Sequence, residues 1–138
     1  MTTRDEVMAA HDHFYSAINE TINEEARSMA DAWHHDDDVT TTHPMGNWAV
    51  GWKEVWATWK TLGETLSDGS VEVSDLRIVL HGDIAYTVGV EHVSFVVLGK
   101  RHVFTANTTN IYRRNENGWK IIHHHPDKAP EVEETIRS

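Results

Sequence analysis

A change of period constrains this chain more than any other feature. Between residues 71 and 125 apolar side chains recur at every second position, and the runs are broken only at Gly82-Asp83, Leu98-Gly99-Lys100 and Asn115-Glu116-Asn117-Gly118. Alternation of that kind marks strands with one buried face, and short Gly- and Asn-containing breaks join such strands as hairpins. The pattern predicts strands over residues 71–80, 84–97, 101–114 and 119–125, with a bulge near Ser74-Asp75 where the parity slips.

Upstream the period is helical. Thr3 with Glu6 reads as a capping box, and Val7, Ala10, Phe14, Ala17 and Ile18 follow at helical spacing, which predicts a helix over residues 4–20. Asn23 offers a second N-cap ahead of Ala26, Met29, Ala30 and Trp33. Val39-Thr40-Thr41-Thr42 has the β-branched composition of a short strand, and His43-Pro44-Met45-Gly46 must turn. Trp52, Val55, Trp56, Trp59 and Leu62 then define a third helix. Helices followed by hairpins indicate an α+β fold, a curved, cone-shaped antiparallel sheet covered by three N-terminal helices, with a pocket at the open mouth. One domain is expected over residues 1–138, with an ordered core at 4–126 and a polar tail at 127–138.

Charge and composition narrow the partners. A net charge of −10 repels nucleic acid and anionic lipid, so neither is expected as a partner. The absence of cysteine removes disulfides, thiolate metal sites and thiol nucleophiles. Neither a leader-like nor a membrane-spanning run is seen, and the cytoplasm is the expected address. Two excesses remain, 11 His and 6 Trp, and the functional reading starts from them.

Alternation in the last strand puts Trp119, Ile121, His123 and His125 on one face, taken as the interior. A turn at 115–118 that sets Arg114 opposite Trp119 pairs Asn110 with His123 and Thr108 with His125, so Tyr112, Asn110 and Thr108 join the concave side. If Leu98-Gly99-Lys100 is a three-residue turn, His92 faces the pocket with Tyr86, Val88 and Val90. A two-residue turn brings in Glu91 instead, and the three-residue turn is preferred. The expected site is thus a greasy wall carrying a few directed polar groups. His123, His125 and His43 are the acid/base candidates; His92, Asn110, Thr108, Tyr112, Trp48, Trp56 and Trp119 are the ligand-binding candidates, with Trp48 as a lid. No cofactor is expected. A metal held by His43, His123 and His125 is an alternative, and His34-His35-Asp36-Asp37-Asp38 is metal-like in composition only.

This element order, ending in Asn110-Ile111-Tyr112-Arg113-Arg114 and Gly118-Trp119-Lys120-Ile121-Ile122-His123-His124-His125, resembles the nuclear-transport-factor-2-like superfamily, particularly its SnoaL-like branch. His43-Pro44 followed by Gly51-Trp52 looks like the SnoaL-like pattern before the third helix. The superfamily includes ketosteroid isomerases, polyketide cyclases, dehydratases, epoxide hydrolases and the association domain of calcium/calmodulin-dependent kinase II, so function must be argued from the site. The resemblance implies an α+β cone holding a small apolar or aromatic ligand, with isomerase, hydratase or cyclase chemistry through histidine. A ketosteroid isomerase trio of aspartate, tyrosine and acid cannot be placed on this sequence. A non-catalytic ligand-sensing or oligomerisation module is the alternative. The outer sheet face, with Val103, Thr105, Ile111 and Ile122, is too apolar for open water, and a homodimer through it is expected.

Overall fold

Helix and strand lie where the two periods put them. A computed structural model describes residues 1–46 and 48–137. Its long strands, β3 (Leu66–His81), β4 (Ile84–Val97), β5 (Lys100–Asn115) and β6 (Gly118–Pro126), follow one another antiparallel. Two short strands, β1 (Thr40–Thr41) and β2 (Ala49–Val50), complete a sheet of order β2-β1-β6-β5-β4-β3. Since β1 runs parallel to β6, the sheet is mixed, not wholly antiparallel. β3 shifts register between Ser74 and Arg77, with Asp75 at φ 56°, which is the bulge that the parity slip predicts.

Helix α1 (Thr3–Asn23) is capped one residue earlier than the sequence pattern favours. Thr2 Oγ1 accepts from Asp5 N at 3.1 Å and Asp5 Oδ2 accepts from Thr2 N at 3.1 Å, a box closed by the other Thr/acid pair of the same spacing. The helix lies across the sheet and is stapled to its edge by two asparagines. Asn19 exchanges bonds of 3.0 and 2.8 Å with the backbone of Val71, and Asn23 exchanges bonds of 2.8 and 3.0 Å with Gly69. These side chains occupy the edge groups of β3 that would otherwise recruit another strand. Asn23 therefore ends α1 and caps nothing, and the expected second helix shrinks to one turn, α2 (Met29–Ala32). Ser67-Asp68-Gly69 forms an irregularity inside β3, where a Cβ on Gly69 would collide with Ser94 O and lie 2.8 Å from Phe95 Cα.

Helix α3 (Trp52–Thr65) forms as spaced, burying Val55 and Trp59. After β6, residues expected as tail form α4 (Pro130–Arg137), which opens on proline and anchors itself by the fully buried Val132. The acidic run after α2 is a clamp: Asp36 and Asp38 pair with Arg113 at 2.6 and 2.9 Å, and the His34 Nε2–H donates to Arg113 O at 2.7 Å. Among the described residues no helix is long and apolar enough to cross a membrane.

Candidate functional site

Register decides which side chains enter the cone, and it departs from the preferred reading twice. Leu98-Gly99 closes a two-residue turn, with Val97 opposite Lys100 and both turn residues at positive φ, 49° and 76°. Glu91 therefore pairs with Ala106 and is buried facing inward, while His92 pairs with Thr105 and lies exposed on the outer face, bonded to Ser74 Oγ at 2.7 Å. The same parity sends Tyr86, Val88 and Val90 outward and brings Ala85 and Thr87 inward. His102 is buried by the same parity, and His11 is buried on the inner side of α1.

The second departure is in β6. Arg114 does pair with Trp119, and Tyr112 with Ile121, but the next pair is Ile111 with His123, so Ile122 is an extra residue. Asn110 then faces His124, and Thr109 faces His125. His124 is buried in the cone; His123 and His125 turn to the outer face, so the alternation expected for them is inverted. There His123 Nδ1 meets Thr40 Oγ1 at 2.7 Å, and Trp48, 55% exposed, packs on both imidazoles with centroids at 5.6 and 5.0 Å. Trp48 thus covers the outside of β6 and does not close the cone. His43 lies on the inner side, apart from this pair, and among the described residues no three His, Cys, Asp or Glu side chains gather as a metal would require.

The cone contains a narrow, partly open cavity of about 50 Å³. Ile18, Trp59, Leu62, Val93 and Phe95 form much of its wall, and His43, Glu91 and His124 are its titratable lining groups. Thr21 also lines it, but its hydroxyl is spent on Ala17 O at 2.8 Å. Among the described residues no Lys or Arg lines it.

Glu91 and His124 are joined behind the wall. The Tyr15 hydroxyl donates to Glu91 Oε2 at 2.7 Å, the Asn110 Nδ2–H donates to Tyr15 Oη at 2.9 Å, and Asn110 Oδ1 accepts from His124 Nδ1–H at 2.7 Å. All four side chains are buried. Because an amide oxygen only accepts, His124 must carry its proton on Nδ1, which leaves Nε2 with a lone pair. His43 is fixed by the same logic. Thr58 gives its hydroxyl proton to Val55 O at 2.7 Å, so it accepts from His43 Nε2–H at 2.9 Å and leaves Nδ1 bare.

Burial sets the charges. It pushes the Glu91 carboxyl up to about 7, against the opposing hydrogen bond of Tyr15. It drives His43 down to about 3, and it holds His124 well below the ordinary imidazole value, with the neighbouring histidines adding to the effect. At neutral pH the cavity holds two uncharged imidazoles and one carboxyl near its midpoint.

The remaining candidates divide by depth. Asn110 is the central link of the chain, and Thr108 is buried beside Glu91 with its hydroxyl donating to Ala106 O at 3.3 Å. Tyr112 is fully buried and meets His11 Nδ1 at 3.4 Å. Trp56 stacks on Trp52 over a surface depression beside Glu24 and Lys60, and Trp119 lies beneath Arg114 at 5.6 Å; neither lines the cavity. Sequence reasoning missed Tyr15, Thr58 and His124. Tyr15 carried a signal, three residues before Ile18 on the buried stripe of α1.

A family model for the SnoaL-like domain matches residues 7–126. No curated protein matches the chain. Among solved structures, a candidate dehydratase of the NTF2-like family from Streptomyces avermitilis superposes with TM-score 0.80 at 21% identity, covering 91% of this chain and 94% of that one. A ketosteroid isomerase-like protein from Erwinia carotovora atroseptica gives 0.73 at 17% identity, covering 90% and 94%. A candidate calcium/calmodulin-dependent kinase II association domain from Thiobacillus denitrificans gives 0.70 at 23%, covering 88% and 94%. At these identities the likeness is one of fold. With the family model spanning all six strands and the cavity between them, the chain belongs to the SnoaL-like domain family, within the nuclear-transport-factor-2-like fold.

Proposed function

We propose that the protein is an acid/base enzyme acting on a small, largely apolar or aromatic molecule, with Glu91 exchanging the proton and His124 and His43 orienting the substrate. The observation that carries this reading is the buried chain from Glu91 through Tyr15 and Asn110 to His124, both ends of which reach one apolar cavity. A carboxyl near pKa 7 takes and returns a proton with equal readiness at neutral pH, which is where general acid/base catalysis works best. It would remove a proton from carbon beside a carbonyl, the C–H pair moving into an enolate. Reprotonation at another carbon completes an isomerisation; return of the proton from Glu91 to a β-hydroxyl, which leaves as water while the enolate pair forms the C=C bond, completes a dehydration. The dehydratase and ketosteroid isomerase names of structural neighbours fit this class. A ligand-holding module has no need of a buried carboxyl coupled to an imidazole, and that coupling favours chemistry over mere binding.

The test is incubation with ring-bearing β-hydroxy ketones and hydroxyl-bearing β,γ-unsaturated ketones in D2O, read by deuterium incorporation and enone absorbance. Turnover that disappears in Glu91→Gln is expected. Full activity in that variant, or no exchange with either class, would end the reading.

The outer face supports a homodimer. Val103 is 72% exposed there, and Val88, Val90, Val96 and Ile111 share that face. Sedimentation at micromolar concentration should give twice 15.7 kDa, and a monomer throughout would remove the argument. Lack of cysteine remains in keeping with a cytoplasmic address.

A further inference from the structure

The cavity's hydrogen-bonding character is set from outside it. Each lining imidazole has its one N–H occupied: His124 Nδ1–H by Asn110 Oδ1 at 2.7 Å, and His43 Nε2–H by Thr58 Oγ1 at 2.9 Å. Neither partner can reverse its role cheaply. Thr58 has committed its proton to Val55 O, and Asn110 has committed its N–H to Tyr15. The nitrogens left over, His124 Nε2 and His43 Nδ1, are lone-pair acceptors with no partner among the described residues. His43 meets Trp59 edge to face at 4.5 Å and 81°, His124 lies tilted against it at 5.7 Å and 34°, and the two imidazoles are 6.2 Å apart between ring centroids. Glu91, when ionised, adds only further lone pairs. The Trp59 indole N–H lacks a partner, but that nitrogen is itself buried away from solvent-sized contact. The Thr21 hydroxyl is occupied, and no cation lines the wall.

From this arrangement we infer that the cavity takes an uncharged ligand presenting a hydroxyl as donor, an alcohol, enol or phenol on an apolar body, and that it rejects carboxylates and phosphates. The inference rests on the acid/base reading for its biological sense and names the substrate class of that same site. The two imidazoles, 6.2 Å apart between ring centroids, each offer a hydroxyl proton a bare nitrogen. An anion brings only acceptors into a space walled by acceptors and hydrocarbon, with nothing to replace the water it leaves. A site built to bond a hydroxyl also discriminates strongly against the analogue that lacks it, because its own polar groups are then stranded.

The experiment uses three probes on one ring: 4-methylphenol, 4-methylanisole, whose oxygen has no proton, and 4-methylbenzoate. Binding to the wild-type protein is followed at pH 8, where Glu91 is ionised, through the ¹⁵N signals of the two imidazoles. His124 should show a protonated Nδ1 and a bare Nε2, His43 the reverse, and 4-methylphenol should shift the two bare nitrogens. Its affinity should exceed that of the other two by tenfold or more, about 1.4 kcal/mol. A protonated His124 Nε2 in the free protein, an anisole or benzoate within tenfold of the phenol, or no binding of the phenol at millimolar concentration overturns the inference. The acid/base reading fails separately, through absent turnover in a protein that still makes this discrimination.

Discussion

His124 and its flanking histidines occupy consecutive positions of one strand and sit in opposite media. His124 is buried at 3% exposure, bonded to Asn110 and held neutral by desolvation. His125 is exposed against Trp48, and His123 is half-buried with its ring nitrogen on the Thr40 hydroxyl. The residue type is the same at all three. Strand alternation separates them, and Ile122, the extra residue in β6, decides which of them faces inward. The histidine that lines the cavity is thus selected by strand parity, and the contrast between the strand's two faces is what substitution should expose.

The largest effect belongs to the inner face. Glu91→Gln keeps an acceptor for the Tyr15 hydroxyl but cannot exchange a proton, so kcat/KM should fall by roughly 10² to 10⁴-fold in the deuterium-incorporation assay. Asn110→Leu attacks the same chain from its centre. It strands the His124 Nδ1–H and withdraws a donor from Tyr15, and loss of buried partners should cost about 2–4 kcal/mol by urea denaturation. A cost under about 0.5 kcal/mol would mean that the chain is not held as described.

How much of this was legible depends on what each residue's neighbours are. The hairpins, the Ser74-Asp75 bulge and the α3 stripe follow from periods within one segment, and they form as read. Parity across a turn is different. Leu98-Gly99-Lys100 is compatible with two turn lengths, and Leu98 at positive φ is a cost that a sequence reading weighs against the shorter one. Trp119-Lys120-Ile121-Ile122 gives no local sign of a bulge, because both isoleucines are good strand residues. The parallel pairing of β1 with His123 and His124 comes from residues about eighty positions upstream, beyond the reach of any local window. Tyr15 and Thr58 are likewise visible only once α1 and α3 are laid against the sheet. The fold was therefore readable from periodicity, whereas the site hung on two register choices.

A subtler consequence is opposed pH dependence from the two ends of the cavity. His43 has a depressed pKa, about 3 against 6.5, so the folded protein binds fewer protons than the unfolded chain and its stability falls as pH drops below 6.5. Glu91 is raised from 4.5 to about 7, so the folded protein binds more protons, and the stability this group contributes is full below 4.5 and lost as pH rises through 7. Between pH 5 and 8 the two slopes largely cancel. Glu91→Gln removes one of them, and its stability relative to wild type should rise by about 2 kcal/mol over that interval, measured by urea midpoints at each pH. A difference independent of pH would place the Glu91 carboxyl outside the desolvated interior.

The smallest effect is expected where the sequence pattern pointed most directly. His123→Ala forfeits one bond to Thr40 Oγ1 and part of the Trp48 contact, and His125→Ala forfeits only the contact. His125 is exposed and His123 half-buried on the sheet's outer face, where solvent replaces a lost partner, so each change should stay within about 1 kcal/mol of wild type. Neither ring lines the cavity, and catalytic rates in both variants should match wild type within about twofold, against the loss of orders of magnitude at Glu91. The double variant sharpens the point, since it removes two of three adjacent imidazoles and leaves the one that Ile122 turns inward. If the double variant lost activity while keeping its fold, the outer face would have to reach the substrate, and the parity argument that separates His124 from its neighbours would fail with it.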